Sequence, residues 1–357
     1  MTLETLIERP AWSVPQAEKE ALILEGLNAL TRHHAKTCPA YVRILDRVWG
    51  GALDAARIED VPFLPVSLFK EIDLKSMESA SMVLQSSGTT GQRPSRVFVD
   101  SETATLQSRA LVASIKPLLG DKRIPMLMLD TKQVLSDARH MTARGAGVLG
   151  FMKFGAKTQF ALDAALSAQT DVIKAFLAQN GGAPFLMFGF TWLVWTGLYQ
   201  QFADGEIDLS KGILFHSGGW KKLTEYKVSN DAFRSALKRR FGLERIYNFY
   251  GMVEQIGSVF LEASDGCLYP SNIADIIVRD DRTWMPVPPG VPGLIQLVSL
   301  LPHSYPGHSL LTEDLGEIVY VDRGIDGRLG KAVRILGRVA RAELRGCSDV
   351  IGTTAGA

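Results

Sequence analysis

The sequence predicts an α/β sheet with helices on its faces, followed by a smaller β-rich region. From about residue 80, short apolar runs of strand length alternate with amphipathic helical segments, which is typical of α/β sheets. After about residue 270 the composition shifts toward proline, glycine and β-branched residues, which indicates short strands joined by turns. A chain of 357 residues is long enough for one large or two ordinary domains.

The first element is a helix after Pro15, where Ile23, Leu27 and Leu30 recur at helical spacing. A later helix is predicted over residues 230–241, because Ser229 or Asn230 can cap its start and Gly242 can end it. Strands are predicted at the short apolar or β-branched runs 81–85, 97–99, 126–129, 185–188, 212–215, 245–249, 294–297 and 317–321.

These elements divide the chain into four segments. Residues 1–80 form a helical lead-in and residues 81–270 form the α/β core. Residues 271–337 form the β-rich subdomain, and residues 338–357 form a tail that carries Cys347.

Charge and cysteine usage exclude several classes of protein. With 39 basic and 38 acidic side chains the formal charge is +1, so no polybasic face for nucleic acid is expected. Cys38, Cys267 and Cys347 are far apart and lack a CxxC spacing. Neither a disulfide framework nor a thiolate zinc site is therefore predicted.

The N-terminus carries Glu4, Glu8 and Pro10 where a secretory signal needs a basic start and an apolar run, so a cytoplasmic location is expected. One uncharged, aromatic-rich stretch lies between Lys174 and Asp204. Its glycines and proline divide it into a strand and a helix beginning near Thr191, so no membrane span is expected.

The most informative string is a serine, threonine and glycine cluster that spans Ser86, Ser87, Gly88, Thr89, Thr90 and Gly91. Small residues allow backbone N–H and side-chain O–H groups to surround a phosphate closely. The string lacks the Gly-Lys-Ser/Thr ending of a Walker loop, and a strand is predicted on each side of it. A phosphate loop and a solvated turn are the two interpretations of this composition.

The string resembles the phosphate loop of the adenylate-forming superfamily. Three further segments match that superfamily in order: Tyr250-Gly251-Met252-Val253-Glu254, Thr312-Glu313-Asp314-Leu315-Gly316 and Gly337-Arg338. Finer similarities, at residues 63–70, 216–221, 304–309 and 343–348, are to the LuxE-type acyl-protein synthetases. The resemblance implies the N-terminal-domain fold of adenylate-forming enzymes, with stacked α/β sheets and a smaller β-rich subdomain, and with the C-terminal domain truncated.

The resemblance also implies roles for individual residues. Residues 86–91 would bind the ATP phosphates, Glu254 would ligate Mg²⁺, and Asp314 would bind the ribose hydroxyls. The adenine slot would be shaped by Gly218, Gly219, Asn248, Tyr250 and Gly251. The acyl substrate would contact His216, Trp220, Phe188 and Trp192. For His216 and the aromatic residues a purely structural place in the core stays open.

The chain ends 20 residues after Gly337, too few for the domain that carries a catalytic lysine in full-length relatives. Arg338 and Lys221 are both candidates for the missing cation. Cys347 follows Arg338 by nine residues, which span about 30 Å when extended. Cys347 could thus reach an acyl-AMP held near Arg338, while an inert cysteine remains the alternative.

The predicted function is ATP-dependent activation of a carboxylic acid, by resemblance a fatty acid, to acyl-AMP. The acyl group would then move to Cys347 for delivery to a partner acyl reductase. Two alternatives stay open: a short acyl-CoA ligase that uses free CoA, and a catalytically silent nucleotide- or acyl-binding scaffold.

Overall fold

The computed structural model describes residues 2–86, 93–136, 140–218 and 228–339, which form two compact units. The first unit contains residues 2–85, 93–120 and 250–339. The second unit contains residue 86 with residues 121–136, 140–218 and 228–249. The segment boundaries given above remain a prediction.

Helices and strands alternate through much of the described chain. The α-helices are α1 (Leu3–Glu8), α2 (Gln16–Thr37), α3 (Pro39–Trp49), α4 (Leu68–Glu71), α5 (Ser101–Leu119), α6 (Ala143–Met152), α7 (Thr170–Asn180), α8 (Thr191–Gly197) and α9 (Asn230–Phe241). The strands are β1 (Leu64–Pro65), β2 (Met82–Gln85), β3 (Arg96–Val99), β4 (Ile124–Thr131), β5 (His140–Thr142), β6 (Gly155–Leu162), β7 (Phe185–Phe190), β8 (Gly212–Ser217), β9 (Arg245–Tyr250), β10 (Phe260–Glu262), β11 (Leu268–Pro270), β12 (Ala274–Arg279), β13 (Gly293–Ser299), β14 (Ser309–Val321) and β15 (Lys331–Arg338). The α/β class predicted from the sequence is confirmed.

The first unit is built on an antiparallel sheet with strand order β12-β13-β14-β15-β11-β10. Strand β1 adds to β14 in parallel, at Leu310 and Leu311. The helix predicted after Pro15 is α2, whose buried Ile23, Leu27 and Leu30 share one hydrophobic cluster with Ile277 of β12 and Val298 of β13. Burial of this apolar stripe fixes the helix on the sheet.

Strands β2 and β3 of this unit pair antiparallel, with Gln85 opposite Arg96. The glycine- and serine-rich string is therefore the connection of a β-hairpin. This confirms the prediction of a strand on each side of it.

The second unit is built on a parallel sheet with strand order β9-β8-β7-β4-β6. The predicted helix over residues 230–241 is α9. The Ser229 side chain accepts a hydrogen bond from the Ala232 N–H, and Gly242 ends the helix with φ of +70°. Such a positive φ favours glycine because it lacks a Cβ atom.

The uncharged aromatic stretch folds as β7 and α8, as predicted from its glycines and proline. Within the described ranges, no helix is long and apolar enough to cross a bilayer. Cys38 and Cys267 are buried and unpaired, and burial raises the pKa of Cys267 to about 11. Both side chains are thus shielded from solvent, and the Cys267 thiol is protonated at neutral pH.

The strand predicted at 317–321 is only the end of β14, which begins at Ser309. The polar segment Glu313–Asp314 interrupts the apolar pattern, and for this reason the sequence pattern did not predict the first part of the strand. The pairing register with β15 also shifts between Leu315 and Gly316, so the alternation of buried and exposed residues is broken there.

Candidate active site

Two strands of the first unit bring an aspartate and an arginine opposite each other. Asp314 on β14 faces Arg338 on β15 in the antiparallel register. Arg338 Nε donates to Asp314 Oδ1 at 2.9 Å, and the Tyr250 hydroxyl donates to Asp314 Oδ2 at 2.7 Å. Each carboxylate oxygen can accept a further hydrogen bond, so the group keeps acceptor capacity for ligand hydroxyls.

Tyr250 is the last residue of β9, and its phenol is a fixed donor to this carboxylate. Burial, reinforced by the Asp314 charge, raises the pKa of Tyr250 well above its ordinary value. The Asp314 main-chain N–H donates to Thr312 Oγ1 at 3.1 Å, and the Thr312 hydroxyl donates to the Ile295 carbonyl at 2.8 Å. The Asp314 carboxylate is therefore held in place by the protein itself.

Glu254 lies in a 3₁₀ turn (Val253–Gln255) that follows β9 in sequence, and it is 4% exposed. The Ser95 side chain hydrogen-bonds its carboxylate, and the Tyr305 hydroxyl donates to its main-chain oxygen at 3.0 Å. Burial raises the pKa of Glu254, whereas Ser95, Arg338 and Lys70 lower it. Burial is the larger effect, so the ionised carboxylate would be favoured by a further positive charge.

This environment fits a magnesium ion that binds together with a phosphate ligand. Mg²⁺ is commonly held by one or two carboxylates and by substrate phosphates. Within the part of the chain that the structure describes, no group of three or more His, Cys, Asp or Glu side chains could hold a metal. Glu254 offers one buried carboxylate, and its role as a magnesium ligand stays a prediction.

Several residues predicted for the site lie outside the described ranges. These are Ser87, Gly88, Thr89, Thr90, Gly91, Gly219, Trp220, Lys221 and Cys347. Ser86, directly after β2, is described and partly buried. The roles of Ser86 and of these nine residues remain those implied by the sequence.

The family model for "Acyl-protein synthetase, LuxE" matches residues 5–355. The chain belongs to this family. The match covers nearly the whole chain, including the segments that carry Glu254, Asp314 and Arg338. The resemblance stated from the sequence is thereby confirmed.

A curated relative of this LuxE family member is the long-chain-fatty-acid–luciferin-component ligase of Vibrio harveyi. The two are 31% identical over 137 residues, which cover 37% of this chain and 34% of the relative. The chain therefore matches about a third of the length of that relative.

Solved structures of 2-hydroxyisobutyryl-CoA ligase share the fold. One, an open conformation in complex with 2-HIB-AMP and CoA, has a TM-score of 0.66 at 18% identity and covers 92% of this chain and 77% of its own. Another, in the postadenylation state with 2-HIB-AMP, has a TM-score of 0.65 at 18% identity, with 92% and 69% covered. The predicted fold of an adenylate-forming enzyme is confirmed by this likeness.

In the second unit of this family member, His216 and Asn248 are register partners near the carboxyl ends of β8 and β9. Ligands of open α/β sheets bind at such ends. Gly218 follows β8 with φ of +95°, a backbone conformation that residues with a side chain rarely adopt. The structure thus brings His216, Gly218 and Asn248, all predicted site residues, to one edge of this sheet.

His216 is fully buried at this edge. Its Nδ1 lies 2.9 Å from Thr191 Oγ1, and the Thr191 hydroxyl donates to the Ser217 carbonyl at 3.2 Å. Burial, with a smaller effect from Arg234, lowers the pKa of His216 to about 3. The ring is neutral, and its contact with an acyl substrate stays a prediction.

Phe188 and Trp192 are also buried. Phe188 stacks on Phe151 with ring centroids 4.2 Å apart, and it lies 6.3 Å from Phe249. Trp192 is 7% exposed in α8. These contacts describe a packed aromatic core, and a role in acyl binding remains a prediction.

The residues around Glu254 that sequence reasoning missed are Ser95, Tyr305 and Lys70. All three lie in or beside segments that already carried the family resemblance. The signal that could have singled out Ser95 is its place directly after the phosphate string. Nothing local in the sequence indicates that Tyr305 contacts the main chain of Glu254, 51 residues away.

Proposed function

We propose that the protein uses ATP to convert a carboxylic acid into an acyl-AMP. The observation that carries this proposal is the arrangement of the first unit. It contains the Tyr250–Asp314–Arg338 group, the buried Glu254, and a hairpin whose connection has the composition of a phosphate loop. The family match and the adenylate-forming fold support the same chemistry.

In this reaction a carboxylate oxygen of the acid attacks the α-phosphorus of ATP. The bond between the α-phosphorus and the bridging oxygen breaks, and pyrophosphate leaves with the electron pair. Glu254 would hold Mg²⁺, which offsets negative charge on the phosphates when it is bound. Arg338, fixed by Asp314, is the described candidate for the cation that orients the reacting groups.

The acid is proposed to be a fatty acid. The Vibrio harveyi relative is named as a ligase of long-chain fatty acids, which supports this substrate class. Pyrophosphate release should be measured with ATP, Mg²⁺ and a panel of acids from acetate to long-chain fatty acids. Release that depends on a fatty acid supports the proposal, and release with none of the acids contradicts it.

Asp314→Ala is expected to weaken ATP binding by about 10- to 100-fold, because hydrogen bonds to a charged group contribute about 1.5–3 kcal/mol. Wild type should prefer ATP to 2′,3′-dideoxy-ATP, and the variant should lose that preference. Titration calorimetry with both nucleotides measures this. The control is Asp54→Ala, which removes an exposed carboxylate paired with Arg32. An unchanged preference in Asp314→Ala would remove Asp314 from ribose binding.

The second step we propose is transfer of the acyl group to Cys347. The thiolate attacks the acyl carbon, AMP leaves, and a thioester remains for a partner acyl reductase. The tether between Arg338 and Cys347 raises the effective concentration of the thiol, which supports transfer within one chain.

Cys347→Ser is expected to lose the acyl adduct completely while retaining acid-dependent ATP–pyrophosphate exchange. Intact-mass measurement after incubation with ATP, Mg²⁺ and fatty acid detects the adduct. Cys267→Ala is the control, since that thiol is buried and should not be labelled. Equal labelling of wild type and Cys347→Ser would exclude Cys347 as the acceptor. Formation of acyl-CoA from free CoA, undiminished in that variant, would favour the acyl-CoA ligase alternative.

A further inference from the structure

Lys70 belongs to a short segment that the sheet of the first unit holds firmly. Strand β1 pairs with β14, and the Val66 N–H donates to the Leu311 carbonyl at 2.9 Å. Helix α4 follows within three residues and ends at Glu71. Lys70 is therefore anchored to the strand that also carries Asp314.

The residue before Lys70 connects this segment to Glu254. Phe69 is 1% exposed, and its ring meets the Tyr305 ring edge-on with centroids 6.1 Å apart. The Tyr305 hydroxyl in turn donates to the Glu254 main-chain oxygen at 3.0 Å. Packing through Phe69 and Tyr305 thus fixes the backbone of Lys70 relative to Glu254.

The charge of Lys70 acts on the same carboxylate. Lys70 is half-buried, and its positive charge lowers the pKa of Glu254, as does that of Arg338. Two cations from different parts of the chain therefore act on one buried carboxylate.

The hairpin connection itself is poor in positive charge. Residues 86–95 contain one basic side chain, Arg93, which is exposed, and they lack the lysine of a Walker loop. A bound triphosphate carries several negative charges that need compensation. Cations placed outside the connection must supply part of it.

We propose that Lys70 binds the β- and γ-phosphates of ATP beside Glu254. The inference rests on the proposed function and adds a phosphate-binding residue to it. Arg338 is paired with Asp314, which is proposed to bind the ribose. Lys70 is therefore assigned to the β- and γ-phosphates, at the other end of the nucleotide. AMP lacks those two phosphates, so Lys70 should distinguish ATP from AMP.

The test is titration calorimetry of ATP and of AMP, each with Mg²⁺, on wild type and on Lys70→Met, Lys70→Gln and Lys70→Arg. Lys70→Met and Lys70→Gln should weaken ATP binding about 10- to 100-fold, as expected for loss of a charge-assisted hydrogen bond, and change AMP binding less than about threefold. Lys70→Arg should recover most of the ATP affinity because it keeps the charge. Lys36→Met, an exposed lysine in the last turn of α2, is the matched control and should bind both nucleotides as wild type does.

Thermal unfolding of each variant verifies the fold, and Lys70→Gln retains a polar side chain should Lys70→Met fail to fold. ATP affinity within threefold of wild type in the folded variant would overturn the inference. An equal loss of ATP and AMP affinity would also overturn it, since it would indicate a general disturbance of the site. A wild type that binds neither nucleotide would instead refute the proposed function, and the inference with it.

Discussion

Replacing Glu254 by glutamine is expected to lower acid-dependent ATP–pyrophosphate exchange by about 100-fold or more. The variant loses the charge proposed to hold Mg²⁺, and a metal ion contributes several kcal/mol to such a reaction, each 1.36 kcal/mol being tenfold in rate. The amide oxygen can still accept the hydrogen bond from Ser95. Because the substitution removes a buried charge and keeps the hydrogen bond from Ser95, the melting temperature of the variant should not fall.

The matched control is Glu317→Gln. Glu317 lies on β14, three residues beyond Asp314, and pairs with Arg334 at 2.6 Å. The same chemical change at this position, on the strand that carries Asp314, should leave the exchange rate near that of wild type. If Glu254→Gln kept more than a third of the wild-type rate, the carboxylate would have no part in adenylation.

Asp275→Ala is expected to destabilise the protein by about 3–5 kcal/mol, the range for breaking a buried ion pair. Asp275 is fully buried on β12 and lies 3.1 Å from Lys331 Nζ and 3.7 Å from Lys19 Nζ. Gln16 Nε2 also donates to it at 2.6 Å. Its removal leaves two buried ammonium groups without their common partner.

The effect should be measured by urea unfolding at pH 7. Glu18→Ala, which removes an exposed partner of Arg9, is the comparison and should cost less than about 1 kcal/mol. A similar loss in the free energy of unfolding for the two variants would mean that the buried network stabilises the protein no more than a surface ion pair does.

The network should also give the stability a pH dependence. Burial alone would raise the pKa of Asp275, but Lys19 and Lys331 hold that pKa below its ordinary value. The stability contributed by Asp275 is therefore complete above the unfolded pKa of about 4 and is lost as the pH falls below it. Since Lys331 begins β15 and Arg338 ends it, this network also anchors the strand that reaches the candidate site.

Local patterns in the sequence were sufficient for elements whose signals are short-range. The cap of α9 at Ser229, its glycine stop, and the division of the aromatic stretch into β7 and α8 all follow from neighbouring residues. The two strands that flank the phosphate string were predicted for the same reason, whereas their antiparallel pairing was not.

The contacts that build the candidate site are long-range, and the sequence did not predict them. Tyr250, Asp314 and Arg338 meet through a sheet register that no local pattern specifies. Family resemblance supplied the residue types of this group, but not that Tyr250 and Arg338 both bind the Asp314 carboxylate. The place of Lys70 depends likewise on the pairing of β1 with β14, about 245 residues further along the chain.

Transfer of oxygen from the acid to AMP is the most direct test of adenylate formation. The protein should be incubated with ATP, Mg²⁺ and a fatty acid labelled with ¹⁸O in its carboxylate, and the AMP and phosphate products analysed by mass spectrometry. Attack on the α-phosphorus followed by thiolysis predicts one ¹⁸O atom in AMP and none in inorganic phosphate or pyrophosphate. Label in inorganic phosphate, or AMP formed without label, would contradict acyl-AMP formation.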